Sequence, residues 1–274
     1  MMVGTVTELQ YRKSRHPRRH LPPFPAILIS TAIAALGFGL RALTGPGMLA
    51  ATAVGSLVLL GTGVPGLLAL GVFFAGSSAI SRLAPDRTSA YDGKGSRRDV
   101  AQVLANGGAA AVGALVPGAG PWIVTASLAA AAADTWATSA GGWSRVMPRH
   151  ILRWNAVPPG SSGGVTLTGS AGGLLGAAAV GGAAALGAAQ PVLFPLALVV
   201  GMLGMLGDSM LGATLQGRFH CDACGSDTER AVHRCGRRCR PTGGLSWMNN
   251  DAVNALATAG SALAGYLAWR SCGA

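Results

Sequence analysis

Long apolar runs separated by short polar, turn-rich stretches dominate the chain, with windows at 21–43, 47–64, 65–83, 101–118, 120–140, 164–188, 191–215 and 249–269. Each is close to the roughly 20 residues that an α-helix needs to cross the hydrocarbon of a bilayer. The pattern predicts an all-α fold, a polytopic transmembrane helix bundle with a small Cys/His-rich loop at 217–248. The first window lacks a small-residue cleavage site and reads as a retained helix instead of a signal peptide. Ahead of it, residues 1–23 form a basic tail with Arg12, Lys13, Arg15, Arg18 and Arg19, closed by Pro22 and Pro23, and this tail is predicted to be disordered. Residues 24–270 read as a single transmembrane domain.

Counting every window gives eight spans. The tail and the connections 82–100, 141–163 and 216–248 are all basic, however, and basic connections favour one side of a membrane. Seven crossings place all of them together. The merger falls most naturally on 45–83, which Gly45-Pro46-Gly47, Gly61 to Gly63 and Pro65-Gly66 punctuate, as one broken crossing lining a cavity. Eight spans with an external N-terminus is the alternative.

Composition supports lipid as the solvent: 50% of the 274 residues are hydrophobic, 11% are charged, and the 42 glycines sit largely inside the apolar windows. Small residues there let helix backbones approach closely. The net charge of +11 resides in the connections, where it serves topology or attraction to anionic headgroups. Aromatic residues are not interleaved with the basic ones, which argues against nucleic acid as a partner. The glycine- and arginine-rich style suggests a bacterial plasma membrane, with the basic loops cytoplasmic.

Three acids stand where lipid would penalise them: Asp134 and Asp208 within apolar windows and Asp251 at the start of the last. Unpaired charge there costs several kcal/mol, so such positions are functional candidates. Thr135 and Ser209 each follow an acid, which puts a hydroxyl beside each carboxylate. Helical spacing sets Thr138 one turn after Asp134, Asn106 one turn after Gln102, and Asn254 one turn after Asn250, with Asn249 adjacent. Polar side chains of this kind also glue helices together through hydrogen bonds. Carboxylates flanked by amides and hydroxyls offer the oxygen ligands that Mg2+ prefers, and Mg2+ commonly arrives with substrate phosphates, which makes Asp134 and Asp208 magnesium candidates. A proton or sodium pathway would use the same residue types.

The connections add anion-binding potential. Val157-Pro158-Pro159-Gly160-Ser161-Ser162-Gly163-Gly164 is turn-rich and precedes a helix, so its backbone amides suit an anion nest at the helix's positive end; an ordinary loop is the simpler reading. No Walker sequence occurs, and Gly160 to Gly164 fits Gly-x-Ser-x-Gly with no strand before it, so neither a Walker ATPase nor a serine hydrolase is indicated. His150 reads as a surface residue. The stretch 82–100 holds Arg82, Arg87, Lys94, Arg97 and Arg98 with Asp86, Asp92 and Asp99, and its cations suit a phosphate at the membrane surface. Cys221, Cys224, Cys235 and either His233 or Cys239 have the spacing of a structural zinc site, with a disulfide pair or unligated thiols as alternatives. Cys272 stands alone and reads as inert.

Five ordered motifs over residues 25–270 resemble the integral membrane family known as domain of unknown function 92, which includes transmembrane protein 19 and the plant and cyanobacterial phytyl-phosphate kinases. They are Gln102-Val103-Leu104-Ala105-Asn106-Gly107-Gly108, Ala133-Asp134-Thr135-Trp136-Ala137, Val157 to Val165, Gly207-Asp208-Ser209-Met210-Leu211-Gly212-Ala213-Thr214-Leu215-Gln216, and Trp247-Met248-Asn249-Asn250-Asp251-Ala252-Val253-Asn254. The resemblance implies a kinase that phosphorylates an isoprenyl monophosphate such as phytyl phosphate at the expense of a nucleoside triphosphate. On that reading Asp134, Asp208 and Asp251 hold magnesium on the donor, and Asn106, Asn250 and Asn254 orient it. Arg97, Arg98, Gly160, Ser161, Ser162, Gly163, Gly164, Thr135 and Ser209 then contact substrate. The competing classes are a transporter or flippase for an anionic isoprenoid lipid and a noncatalytic scaffold whose zinc loop binds a partner.

Overall fold

The computed structural model describes residues 22–85 and 97–272. Within them lie eight α-helices: α1 (Pro23–Gly39), α2 (Gly45–Thr62), α3 (Val64–Leu83), α4 (Val100–Ala114), α5 (Gly120–Gly141), α6 (Leu167–Ala188), α7 (Leu193–Leu215) and α8 (Asn250–Cys272). The basic tail expected to be disordered falls almost wholly on residues 1–21, outside the described ones. The single broken crossing expected over 45–83 is two helices instead. Gly63 alone separates them, at φ +72°, a left-handed conformation that glycine adopts without strain. Pro65 does not break α3, because it sits in the first turn, where a backbone N–H would have no helical partner anyway.

Eight alternating helices divide their ends between two faces. On one face, the Arg82 guanidinium donates to the Leu40 carbonyl, Thr44 N–H donates to Arg98 O at 3.0 Å, and Ser81 and Ser139 share a hydrogen bond of 3.2 Å. On the other, Gly61 packs on the Ala114 backbone, Gly187 on Pro65 and Gly118 on Trp269. The helix ends joined by the connections α1–α2, α3–α4, α5–α6 and α7–α8 therefore share one face, and the start of α1 lies opposite. Eight helices of alternating direction, not seven, therefore make up the bundle.

α5 is the axis of the bundle and packs against α2, α3, α4, α6, α7 and α8. Its residues Trp122 to Ala133 are buried without interruption, so a helix too poor in large apolar residues to face lipid is instead enclosed by other helices. α2, α3, α6 and α7 are each long and apolar enough to cross a membrane, while α1 and α4 are shorter apolar helices of 17 and 15 residues. Outward faces carry large apolar side chains such as Leu28, Leu49, Leu175, Leu186, Leu203 and Leu263, a surface suited to lipid and unsuited to water.

In lipid, apolar side chains gain little by leaving the solvent, so helix association rests on close van der Waals packing. Gly169, Gly172, Gly173 and Gly176 form one face of α6 against the backbone of α5. A Cβ at Gly176 would lie 2.8 Å from the Ala132 carbonyl oxygen, whereas one at Gly182 would meet nothing within 4 Å. Gly176→Val should therefore cost about 1–3 kcal/mol through overpacking and lower the thermal unfolding midpoint in detergent by several degrees. Gly182→Val should leave the midpoint near wild type.

Two small sheets interrupt the helices. β1 (Arg149–His150) pairs antiparallel with β2 (Gly164–Val165) in the α5–α6 connection. In the α7–α8 connection, β3 (Arg218–Cys221) lies between β4 (Ser226–Thr228) and β5 (Arg240–Gly243), all antiparallel.

Candidate functional site

The acids converge on the face that carries the connections. α5 and α7 run parallel, with Gly201 packed on Ala129 and Gly204 on Ala130, a register that sets Asp208 level with Asp134. The two carboxylates lie within electrostatic reach of each other. Asp208 is buried, and its Oδ2 accepts no hydrogen bond among the described residues. α8 runs antiparallel to α7, with Ser261 against Gly204, which brings Asn254 and the buried Asp251 successively nearer the surface. Asn254 Oδ1 is likewise buried without a donor. Thr258 Oγ1 donates to Ala105 O at 2.7 Å, tying α8 to α4 one residue from Asn106. Asn106 Nδ2 donates to Gln102 O at 2.9 Å, which leaves its carbonyl oxygen for another partner.

The orphaned oxygens of Asp208 and Asn254, on helices packed beside the one that carries Asp134, are hard donors of the kind that suits a cation. Other expected members are placed differently. Thr135 and Ser209 follow their acids by one residue, so they project about 100° away around their helices, not alongside the carboxylates. Asn249 Oδ1 accepts from Ala252 N–H at 3.0 Å and caps the start of α8. Asn250 is half-buried in the first turn, at the surface end of the group. Gln102 is half of a capping box with Asp99, a role its Asp-x-x-Gln spacing signals.

The two arginines before α4 part company. Arg97 Nε and Nη2 donate to Leu43 O at 3.3 and 3.1 Å, so its guanidinium clamps the α1–α2 link. Arg98 is fixed by its backbone, N–H to Ala42 O at 2.9 Å and O from Thr44 N–H at 3.0 Å, and its guanidinium lies over the rings of Phe73 and Phe74 at 5.4 and 5.6 Å. Burial pushes its pKa down to about 10, which still leaves it charged at neutral pH. Asp86, Arg87, Asp92 and Lys94 lie outside the described residues.

The turn-rich loop already holds an anion. Ser162 donates through its N–H, at 3.2 Å, and through Oγ to Glu229 Oε1, while Gln216 Nε2 donates to Glu229 Oε2. Gly160 and Gly163 make the turn at φ +87° and +76°, and a Cβ at Gly163 would meet that of Ala213 at 2.5 Å, so the loop lies directly on α7 beyond Asp208. The expected helix N-terminus is not part of this nest: β2 intervenes, and Thr166 Oγ1 caps α6 by accepting from Gly169 N–H at 2.9 Å. Glu229 was not legible in the sequence, where its only mark is being an acid in the most basic connection. Glu229→Ala strands the Ser162 and Gln216 donors and should cost about 1–3 kcal/mol in thermal unfolding. It should also speed hydrogen exchange across 160–164.

In the same connection, Cys221 Sγ, Cys224 Sγ, one His233 nitrogen and Cys235 Sγ lie within 4.8 Å of one another, a group that can hold a metal ion. Cys224 and Gly225 N–H both donate to Cys221 O, at 3.1 and 2.8 Å, and Gly236 N–H donates to His233 O at 2.9 Å, so tight turns present the ligands. The Cys221 and Cys235 sulfurs are 3.7 Å apart, too far for a disulfide and close to the ~3.8 Å expected of two thiolates on one tetrahedral zinc. Cys239 stands outside the group, its Sγ 3.9 Å from Arg237 O. Hydrogen bonding, from His233 foremost, draws the Cys235 thiol down to about 6, while the bond shared with Cys235 raises Cys224 to about 11. Cys272 is exposed in the last turn of α8.

Comparison with known proteins agrees with this architecture. The family model described as integral membrane protein DUF92 matches residues 28–262, from α1 into α8. The chain is 29% identical over 217 residues to Protein PGR of Arabidopsis thaliana, covering 67% of this chain and 74% of that protein. It is 30% identical over 199 residues to uncharacterized membrane protein MJ0933 of Methanocaldococcus jannaschii, covering 70% and 83% respectively. No solved structure matches. The matched region includes every helix that carries an acid or amide of the site, and the chain belongs to the DUF92 family of integral membrane proteins.

Proposed function

We propose that this protein is a membrane-embedded kinase that transfers a phosphoryl group from a nucleoside triphosphate to an isoprenyl monophosphate such as phytyl phosphate. The observation that carries the reading is the buried Asp208, with an orphaned oxygen, facing Asp134 beneath basic connections. Such a centre suits a divalent cation carried by a nucleotide. The hard oxygen donors fit Mg2+, with Asp134 and Asp208 as its ligands; bound there with the nucleotide, it would neutralise charge on the transferring phosphate. Asp251, Asn106, Asn250 and Asn254 orient the donor, and Thr135 and Ser209 stand at the edge of the same level.

Transfer needs positioning more than covalent help from the protein. An oxygen of the lipid phosphate attacks the γ-phosphorus, the bond to the bridging oxygen breaks, and the nucleoside diphosphate leaves with the electron pair. The acceptor oxygen is already anionic, so no general base is needed. Arg97, Arg98 and the donors of Gly160, Ser161, Ser162, Gly163 and Gly164 neutralise the added charge, the incoming phosphate competing with Glu229 for the loop. Soft thiolates with one imidazole fit zinc, which would clip a connection too small to have its own core. The basic face fronts the nucleotide-containing compartment, the cytoplasm in a bacterial plasma membrane.

The test is incubation of purified protein in lipid nanodiscs with Mg2+, γ-labelled ATP or CTP, and phytyl phosphate. Label in the lipid diphosphate is the expected result. Nucleotide-independent movement of the lipid between leaflets, with no labelled product, would establish the transporter reading in its place.

A further inference from the structure

An apolar crevice runs between α1, α2, α3 and α4 and opens to the outside of the bundle, with about 720 Å³ of space including its open side. Its walls include Ile33, Val54, Leu67, Leu70, Phe73 and Phe74, and its polar groups are Ser30 and, toward the loop-facing end, Arg98, Gln102 and Asn106. Arg98 pairs with no carboxylate among the described residues, and the two aromatic rings that it overlies offset only part of the cost of a cation there. An apolar slot ending on a buried cation is complementary to a molecule with a hydrocarbon tail and an anionic head.

We propose that this crevice binds the hydrocarbon chain of a single-chain anionic lipid, an isoprenyl monophosphate, with its phosphate on the Arg98 guanidinium beside Asn106. The lipid enters sideways from the bilayer, so the tail never leaves an apolar medium. The head stops one residue from Ala105, whose carbonyl accepts from Thr258 of α8, the helix that also carries Asn254. The choice of head group rests on the phosphoryl-transfer reading; the tail slot and its terminal cation rest on the fold. Gly71 supplies a probe: it lines the crevice, and a Cβ there would meet nothing within 4 Å, so a side chain can be introduced at this wall.

The experiment uses phytyl monophosphate bearing a diazirine at the tail end, with wild-type protein in phosphatidylcholine nanodiscs and no nucleotide. Adducts should map to α2 and α3 between residues 51 and 74, and phytyl phosphate should compete well while phytol and phosphatidylglycerol compete poorly. Arg98→Gln removes a charge-assisted contact and should weaken phytyl phosphate binding about tenfold or more, erasing the preference over phytol. Gly71→Phe should weaken phytyl phosphate binding and leave isopentenyl phosphate binding unchanged. Adducts scattered over outward faces, equal competition by phosphatidylglycerol, or wild-type binding by both variants would overturn the proposal. Labelled diphosphate formed while adducts miss the crevice would overturn only this placement; capture in the crevice with no transfer would overturn only the kinase reading.

Discussion

Asp134→Asn and Asp208→Asn should each abolish the phosphoryl transfer that we propose, with a fall of at least about 10²–10³-fold, the size of effect seen when one electrostatic stabiliser is lost. Both variants fold. The substitution is isosteric, and at Asp208 it replaces a buried side chain that already has an oxygen without a hydrogen-bond partner among the described residues. The thermal unfolding midpoint in detergent should therefore stay at the wild-type value or rise while activity disappears. That combination separates a functional carboxylate from a structural one, whose loss lowers both. Retained transfer in both variants would refute the assignment.

Cys221→Ser should release the metal ion that we place in the Cys/His group. Cys221 is buried at the end of β3 and presents both its sulfur to the group and its carbonyl to the Cys224 and Gly225 amides. Structural zinc supplies about 10–16 kcal/mol to small metal-dependent folds, so its loss outweighs what a three-stranded sheet can hold alone. Elemental analysis should show stoichiometric metal in wild type and none in Cys221→Ser, with faster proteolysis across 217–248. Because β4 leads into Glu229, its clasp on Ser162 should loosen too. Cys239→Ser should keep the metal; loss there, or retention in Cys221→Ser, would contradict the ligand set.

The helices were legible because lipid imposes a length and a composition that soluble folds do not. What was not legible was whether Gly and Pro break a crossing or end one. A single residue, Gly63, decided for two helices, and nothing about its neighbours in sequence distinguishes a kink from a reversal. Asp134 and Asp208 stood out because charge is rare within apolar windows. Their neighbours Thr135 and Ser209 misled, since adjacency along a helix is not adjacency in space.

The amides around α8 divided in a way that depends on where the helix begins: Asn249 became the cap and Asn254 an inward-facing group. Arg97 and Arg98 looked equivalent until the backbone pairing of Ala42 and Thr44 with Arg98 turned one toward the Leu43 carbonyl and the other toward the crevice. The Cys/His spacing signalled a metal group, but choosing between His233 and Cys239 required the turn that brings His233 back onto Cys235. Glu229 and Ser162 meet across 67 positions, a pairing that only the folded connections create.

Mn2+, which substitutes for Mg2+ at hard oxygen sites, makes the paired carboxylates directly observable by electron paramagnetic resonance. Wild-type protein in nanodiscs should show a bound Mn2+ spectrum when a nonhydrolysable nucleoside triphosphate is present, and Asp134→Asn and Asp208→Asn should each lose it. An unchanged bound spectrum in both variants would contradict the claim that these two side chains, from separate helices, hold the donor's cation.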